Sequence, residues 1–168
     1  MKKIGIFYGT TTGTTETVAS AVAEKLNVDS ANVYEVSELT TDLVAEYDVL
    51  LLGTSTWGEG ELQDDWFDGV NVLKDADLSG KTIALFGCGD SEGHPDTFCD
   101  AIGVLYGELK DSGCTFIGSV PASEYNYSTS VSVVDDQFVG LVIDEMSESD
   151  KTEDRINAWT EKLQAALA

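Results

Sequence analysis

Ile4-Gly5-Ile6-Phe7-Tyr8-Gly9-Thr10-Thr11-Thr12-Gly13-Thr14-Thr15-Glu16 is the stretch that decides the fold. A short apolar run ends at Gly9, hydroxyls crowd the next six positions, and Val18, Val22 and Leu26 then recur every fourth residue through Glu16–Leu26. The spacing predicts strand, loop and helix. Working outward, the unit repeats. Asn32–Val36 reads as a strand and Thr40–Glu46 as a short helix or turn. Asp48–Gly53 holds a Val-Leu-Leu-Leu run suited to a central parallel strand covered on both faces. A loop over Thr54–Leu62 leads to a helix through Trp66, Phe67, Val70 and Leu73, then a strand over Lys81–Phe86 and an acidic, glycine-rich loop over Gly87–Pro95. Asp96 or Thr97 is placed to cap a helix carrying Phe98, Ala101, Ile102, Leu105 and Leu109. A fifth strand follows at Cys114–Val120, strand character returns at Phe138–Ile143, and Asp150–Leu167 closes the chain as a helix. The Ser-, Tyr- and Asn-rich stretch between, Pro121–Gln137, reads as an insertion on the last strand. Alternating strands and helices with short links predict one doubly wound α/β domain over residues 1–168, with right-handed crossovers.

Composition limits the partners. The chain has 168 residues, with 31 Asp+Glu against 9 Lys+Arg for a net charge of −22, and it is 42% hydrophobic. That is enough apolar material for a core, whereas Lys110 is the only cation between Thr82 and Asp150. Nucleic acids and anionic membranes need cations to displace counterions, so they are excluded as main ligands. An acidic surface either steers basic protein partners or simply keeps the chain soluble. No apolar run approaches the roughly 18 to 20 residues that span a bilayer, and Met1-Lys2-Lys3 runs directly into the first strand, so a cytoplasmic location is expected. Cys88, Cys99 and Cys114 lack metal-ligand spacing and read as reduced, structural thiols.

In a doubly wound sheet ligands bind beyond the carboxyl ends of the strands, where the strand order reverses. Three loops are placed there. Gly9–Thr15 offers hydroxyls and exposed amides at a helix N-terminus, a phosphate cradle without a cation; the alternative is an N-cap and turn. The Lys of a nucleotide P-loop and the GxGxxG fingerprint are both missing. Thr54-Ser55-Thr56-Trp57-Gly58-Glu59-Gly60-Glu61-Leu62 sets a large aromatic among small residues, as a core lid or a stacking platform. Gly87-Cys88-Gly89-Asp90-Ser91-Glu92-Gly93-His94-Pro95 lets backbone approach a ligand closely and holds the only histidine. A monophosphate cradle beside two loops able to sandwich a flat ring suggests a phosphorylated aromatic cofactor, and FMN fits best.

At these residues the sequence resembles a long-chain flavodoxin along essentially its whole length. Thr10-Thr11-Thr12-Gly13-Thr14-Thr15 is similar to the family's phosphate signature. Ser55, Thr56, Trp57, Gly58, Glu59 and Gly60, with Glu61, Leu62 and Trp66, resemble its ring-stacking loop. Cys88, Gly89, Asp90, His94 and Phe98, with Asp100-Ala101-Ile102-Gly103, resemble its second flavin loop and the helix after it. Phe138-Val139-Gly140-Leu141, Asp144-Glu145 and Asp154-Arg155-Ile156 resemble its C-terminal end. Two positions depart: the family usually has Tyr where His94 stands and often an acidic residue where Met146 stands.

The resemblance implies a three-layer sandwich with a five-stranded parallel sheet in order 2-1-3-4-5, in a protein that is not itself an enzyme, while the net charge favours a monomer. It implies a low-potential one-electron carrier shuttling non-covalent FMN between semiquinone and hydroquinone, with the protein tuning the flavin. The partners implied are redox proteins with basic docking surfaces, such as a ferredoxin/flavodoxin-NADP reductase or an iron-sulfur oxidoreductase. A peptide flip at Gly58-Glu59 would stabilise the semiquinone. Carboxylates would oppose the anionic hydroquinone: two unit charges about 10 Å apart at a dielectric of about 20 repel by about 1.7 kcal/mol. His94 either stacks on the ring and makes its potential pH-sensitive or sits on the loop rim. Two rivals stand beside this. A phospho-acceptor receiver shares the topology but would need Asp where Gly53-Thr54 and Gly9-Thr10 stand, and an FMN-dependent reductase would need a substrate site beside the flavin.

Overall fold

Val49, Leu50, Leu51 and Leu52 are all fully buried, because β3 (Val49–Trp57) is the middle strand of the sheet and has helices on both faces. The structure, a computed structural model, describes residues 2–10, 13–57 and 61–167. In space the strands run β2 (Val33–Glu35), β1 (Ile4–Gly9), β3, β5 (Thr82–Cys88) and β10 (Gly140–Ile143), all parallel. Side chains alternate across the sheet as strand geometry requires. Ile6, Leu51, Ala84 and Phe86 face α1 (Thr14–Leu26) and α6 (Thr152–Leu167), packing with Val18, Val22, Ile156, Trp159 and Leu163. Phe7, Leu50, Leu52, Ile83 and Leu85 face α3 (Trp66–Asp75) and α4 (Asp100–Leu109), packing with Trp66, Leu73, Ile102 and Leu105. Each Val, Ile, Leu or Phe among them contributes roughly 1.5–3 kcal/mol on burial. The smaller α2 (Thr41–Ala45) is capped by Thr40, whose Oγ1 accepts the Leu43 N–H at 3.1 Å.

Three local expectations are corrected. The strand expected to stop at Gly53 continues to Trp57, because Thr56 and Trp57 pair antiparallel with Leu62 and Glu61 in the two-residue β4 (Glu61–Leu62). The helix expected to start before Phe98 starts at Asp100, and neither Asp96 nor Thr97 caps it; Cys99 takes that position at φ 50°. The fifth strand is two segments. β6 (Thr115–Ile117) pairs with Thr82–Ala84, the chain leaves through Gly118 at φ 85°, and β10 resumes opposite Leu85–Cys88.

Between these halves the excursion makes its own antiparallel sheet of β7 (Val120–Pro121), β9 (Gln137–Phe138) and β8 (Val133–Val134). Phe138, expected on the main strand, belongs to this smaller sheet and fills an aromatic cluster with Phe98, Tyr125 and Tyr127. The turn α5 (Glu145–Glu148) links β10 to α6. Among the described residues no helix is long and apolar enough to cross a membrane.

Candidate functional site

Strand order reverses between β1 and β3, since β1 continues to β2 on one side and β3 to β5 on the other. The registers Gly9↔Thr54, Thr54↔Gly87 and Ser55↔Cys88 therefore bring the three loops together at one end of the sheet.

The first loop turns through Gly13, which sits at φ 92° with open space around it. Gly13 is the N-cap of α1 and no side chain caps that helix. The first helical bond runs from Thr17 N to Gly13 O, so the first-turn amides of Thr14, Thr15 and Glu16 face outward with the positive end of the helix dipole. Thr10 Oγ1 accepts the Gly13 N–H at 3.0 Å, which leaves the Thr10 hydroxyl proton to be donated. Thr15 is fully buried and its hydroxyl is directed to Cys88 Sγ at 3.7 Å, so only its backbone serves the loop surface. Thr11 and Thr12 lie outside the described residues.

The second loop is fixed from below by buried groups. Trp66 Nε1 donates to Gly53 O at 2.7 Å, Thr54 Oγ1 accepts the Gln63 N–H at 3.2 Å, and Thr56 Oγ1 accepts the Ala101 N–H at 3.2 Å. Ser55 is half-buried beside them. The backbone of Trp57 pairs with Glu61. The expected roles of the Trp57 side chain and of Gly58, Glu59 and Gly60 fall outside what the structure describes.

In the third loop burial pushes the Cys88 thiol up to about 12, partly offset by the Thr15 hydroxyl, and burial raises Cys99 well above its ordinary value. Both are free, inert thiols. Gly89 N donates to Ile143 O at 3.0 Å. The Asp90 carboxylate accepts from Gly93 N, Ser147 Oγ and Glu92 N. These bonds, Gly93 first, hold its pKa below the usual carboxylate range against the effect of desolvation, and His94 adds a smaller push in the same direction. His94 is exposed on the rim, with its backbone N–H on Asp90 O at 2.8 Å. Phe98 is 1% exposed and stacks on Tyr127, so its side chain supports the loop from the core instead of lining the surface.

Sequence reasoning gave no site role to two residues that organise these loops. Buried Asp144 accepts from Ser91 Oγ, from Ser91 N at 3.5 Å and from Ser147 N at 3.2 Å, binding the third loop to α5. Gln63 is 3% exposed and reaches from the second loop to Thr10. Its only sequence signal is a long amide between Leu62 and Trp66, both buried.

Among the described residues the donor set is hydroxyls and main-chain amides around an uncapped helix end, with no free cation beside it and no cluster that suits a metal ion. Such donors fit a phosphate dianion and leave its charge to the helix dipole. Fold and site together define a doubly wound α/β domain that takes a phosphorylated ligand at its switch point. The sequence pattern of the family described as Flavodoxin matches residues 6–159. Flavodoxin 1 of Azotobacter vinelandii is 45% identical over 98% of this chain and 97% of its own length, and a flavodoxin of Picosynechococcus is 41% identical over 99% of each. The crystal structure of Fusobacterium nucleatum flavodoxin bound to flavin mononucleotide superposes with a TM-score of 0.92 at 28% identity, covering 99% of each chain. The chain belongs to the flavodoxin family.

Proposed function

We propose that the chain is a low-potential one-electron carrier that binds FMN non-covalently and passes electrons between redox proteins, rather than an enzyme turning over a substrate. The observation that carries this is the uncapped, cation-free N-terminus of α1 at the reversal of strand order, flanked by the ends of β3 and β5. When bound, FMN supplies one-electron redox chemistry at its ring. Thr10, with Gly13 shaping the turn, and the amides of Thr14, Thr15 and Glu16 hold its phosphate, with Thr11 and Thr12 assigned to the same task. We assign Ser55, Thr56, Trp57, Gly58, Glu59 and Gly60 to one side of the bound ring, and Cys88, Gly89, Asp90 and His94 to the other.

The rim is acidic. Glu16, Glu61, Asp64, Asp65, Asp68, Glu92 and Glu145 are exposed, and Lys151 and Arg155, the cations nearest α5, are both paired with Glu148. That field disfavours negative charge on the bound ligand and attracts partners with basic docking faces, such as a ferredoxin/flavodoxin-NADP reductase or an iron-sulfur oxidoreductase. We assign the excursion between β6 and β10 to the long-chain insertion, and the working form to a cytoplasmic monomer. Titrating the apoprotein with FMN should quench flavin fluorescence to a one-to-one end point. A protein that leaves FMN fluorescence unchanged in molar excess would end this reading.

A further inference from the structure

Gln63 is a neutral side chain placed where two loops meet, and the chain makes room for it. Its Nε2 donates to Thr10 O at 3.3 Å and to Asp65 Oδ2 at 3.2 Å, while its Oε1 accepts the Asp65 N–H at 3.0 Å. Its own backbone N–H is held by Thr54 Oγ1. Gly9 lies directly beneath: a Cβ there would stand 2.4 Å from Gln63 Oε1 and 2.7 Å from Trp66 Cδ1. A glycine at the end of β1 is thus the condition for this amide to reach the first loop. Thr10 is held at both of its oxygens, its carbonyl by Gln63 and its hydroxyl by Gly13 N.

We propose that Gln63 is a positioning residue that sets the phosphate cradle by turning the Thr10 carbonyl away from the anion while tying the cradle to the second loop. This rests on the FMN reading above. A carbonyl released from Gln63 would turn its negative end toward the phosphate or require a water in a part-buried position, and either weakens a site that has no cation in reserve. The bond to Asp65 carries no such consequence, because Asp65 is exposed and its N–H would turn to solvent once Gln63 is replaced.

The consequence is selective for the phosphate. Gln63→Met keeps the length and removes the donor. Gln63→Glu keeps the acceptor for Asp65 N, removes the donor to Thr10, and adds a negative charge. Dissociation constants of the apoproteins for FMN and for riboflavin, which lacks the phosphate, are read by flavin fluorescence quenching. Gln63→Met is expected to weaken FMN about tenfold and riboflavin about twofold, with Gln63→Glu weaker still for FMN alone. Equal losses for both ligands, or no loss for either, would overturn the proposal and leave Gln63 a packing residue. Failure of the unmodified protein to bind FMN would instead overturn the functional reading. The near-isosteric Gln63→Glu protein keeps the comparison available should the Met variant fold poorly, and apoprotein thermal melts identify that case.

Discussion

The first and third loops meet the same ligand region but are built differently. In the first, the bonds that shape the turn are local, Thr10 to Gly13 and Gly13 to Thr17, ahead of a helix whose start follows from its own spacing, and Gln63 adds a reach to Thr10 O from the second loop. The third is held from far along the chain. Asp144 ties Ser91 to α5, while Ser130 Oγ donates to Phe98 O, Asp100 accepts Val131 N, and Ser132 Oγ donates to Cys99 O and accepts Gly103 N. One loop is shaped by a helix end, and the other by an insertion that clasps it. Damage to the insertion or to Asp144 should therefore loosen the third loop and spare the first.

The contrast can be broken in several places. Asp144→Ala should have the largest effect, since it leaves Ser91 Oγ, Ser91 N and Ser147 N without their buried acceptor; a loss of about 3 kcal/mol is expected in urea unfolding. Gly103→Ala comes next. Its Cβ would lie 2.8 Å from the backbone N and Cα of Ser132, so the clasp must shift, at about 2 kcal/mol by the same assay. Gly13→Ala strains only a local turn at φ 92° with free space around it, and about 1 kcal/mol should be lost with third-loop amide exchange unchanged. Gly107→Ala, on the exposed side of α4 and away from the clasp, should raise stability by about 0.7 kcal/mol.

The smallest effect sharpens the contrast through pH. Because hydrogen bonds lower the folded pKa of Asp90, its contribution is present above the unfolded value of about 4 and disappears as pH falls through the folded one. The urea midpoint of Asp90→Asn should sit below that of the unmodified protein at pH 7 and converge with it in acid. A gap that widens on acidification would reverse the sign.

The same contrast explains what was legible in the sequence. Strand β1, helix α1 and the β3 run are visible because neighbours in sequence are neighbours in space, so the order of layers and the first loop follow from periodicity. The start of α4 was misplaced because its signal lies elsewhere: Phe98 N–H is taken by Thr129 O and Asp100 by Val131, and no local pattern encodes either. Trp57 read as loop because its strand partner is two residues long, too short to show alternation. Gln63 and Asp144 carry no site signal in the sequence because the bonds that reach the loops, Gln63 to Thr10 and Asp144 to Ser91, are tertiary. Thr15, counted among the cradle hydroxyls, turned inward because the β1–α1 unit needs a small buried group against Cys88.

The divided fifth strand has one more consequence. Ile117 stands opposite Ala84 and Gly140 opposite Leu85, so the rung sequence along β5 is unbroken although two separate lengths of backbone supply it. A nick at the exposed Asp135-Asp136 turn, where both residues hold positive φ, would leave β5 and β6 on one piece and β10 on the other. The second piece carries the partner of Leu85–Cys88, and that open length of β5 is where the two polypeptides would rejoin.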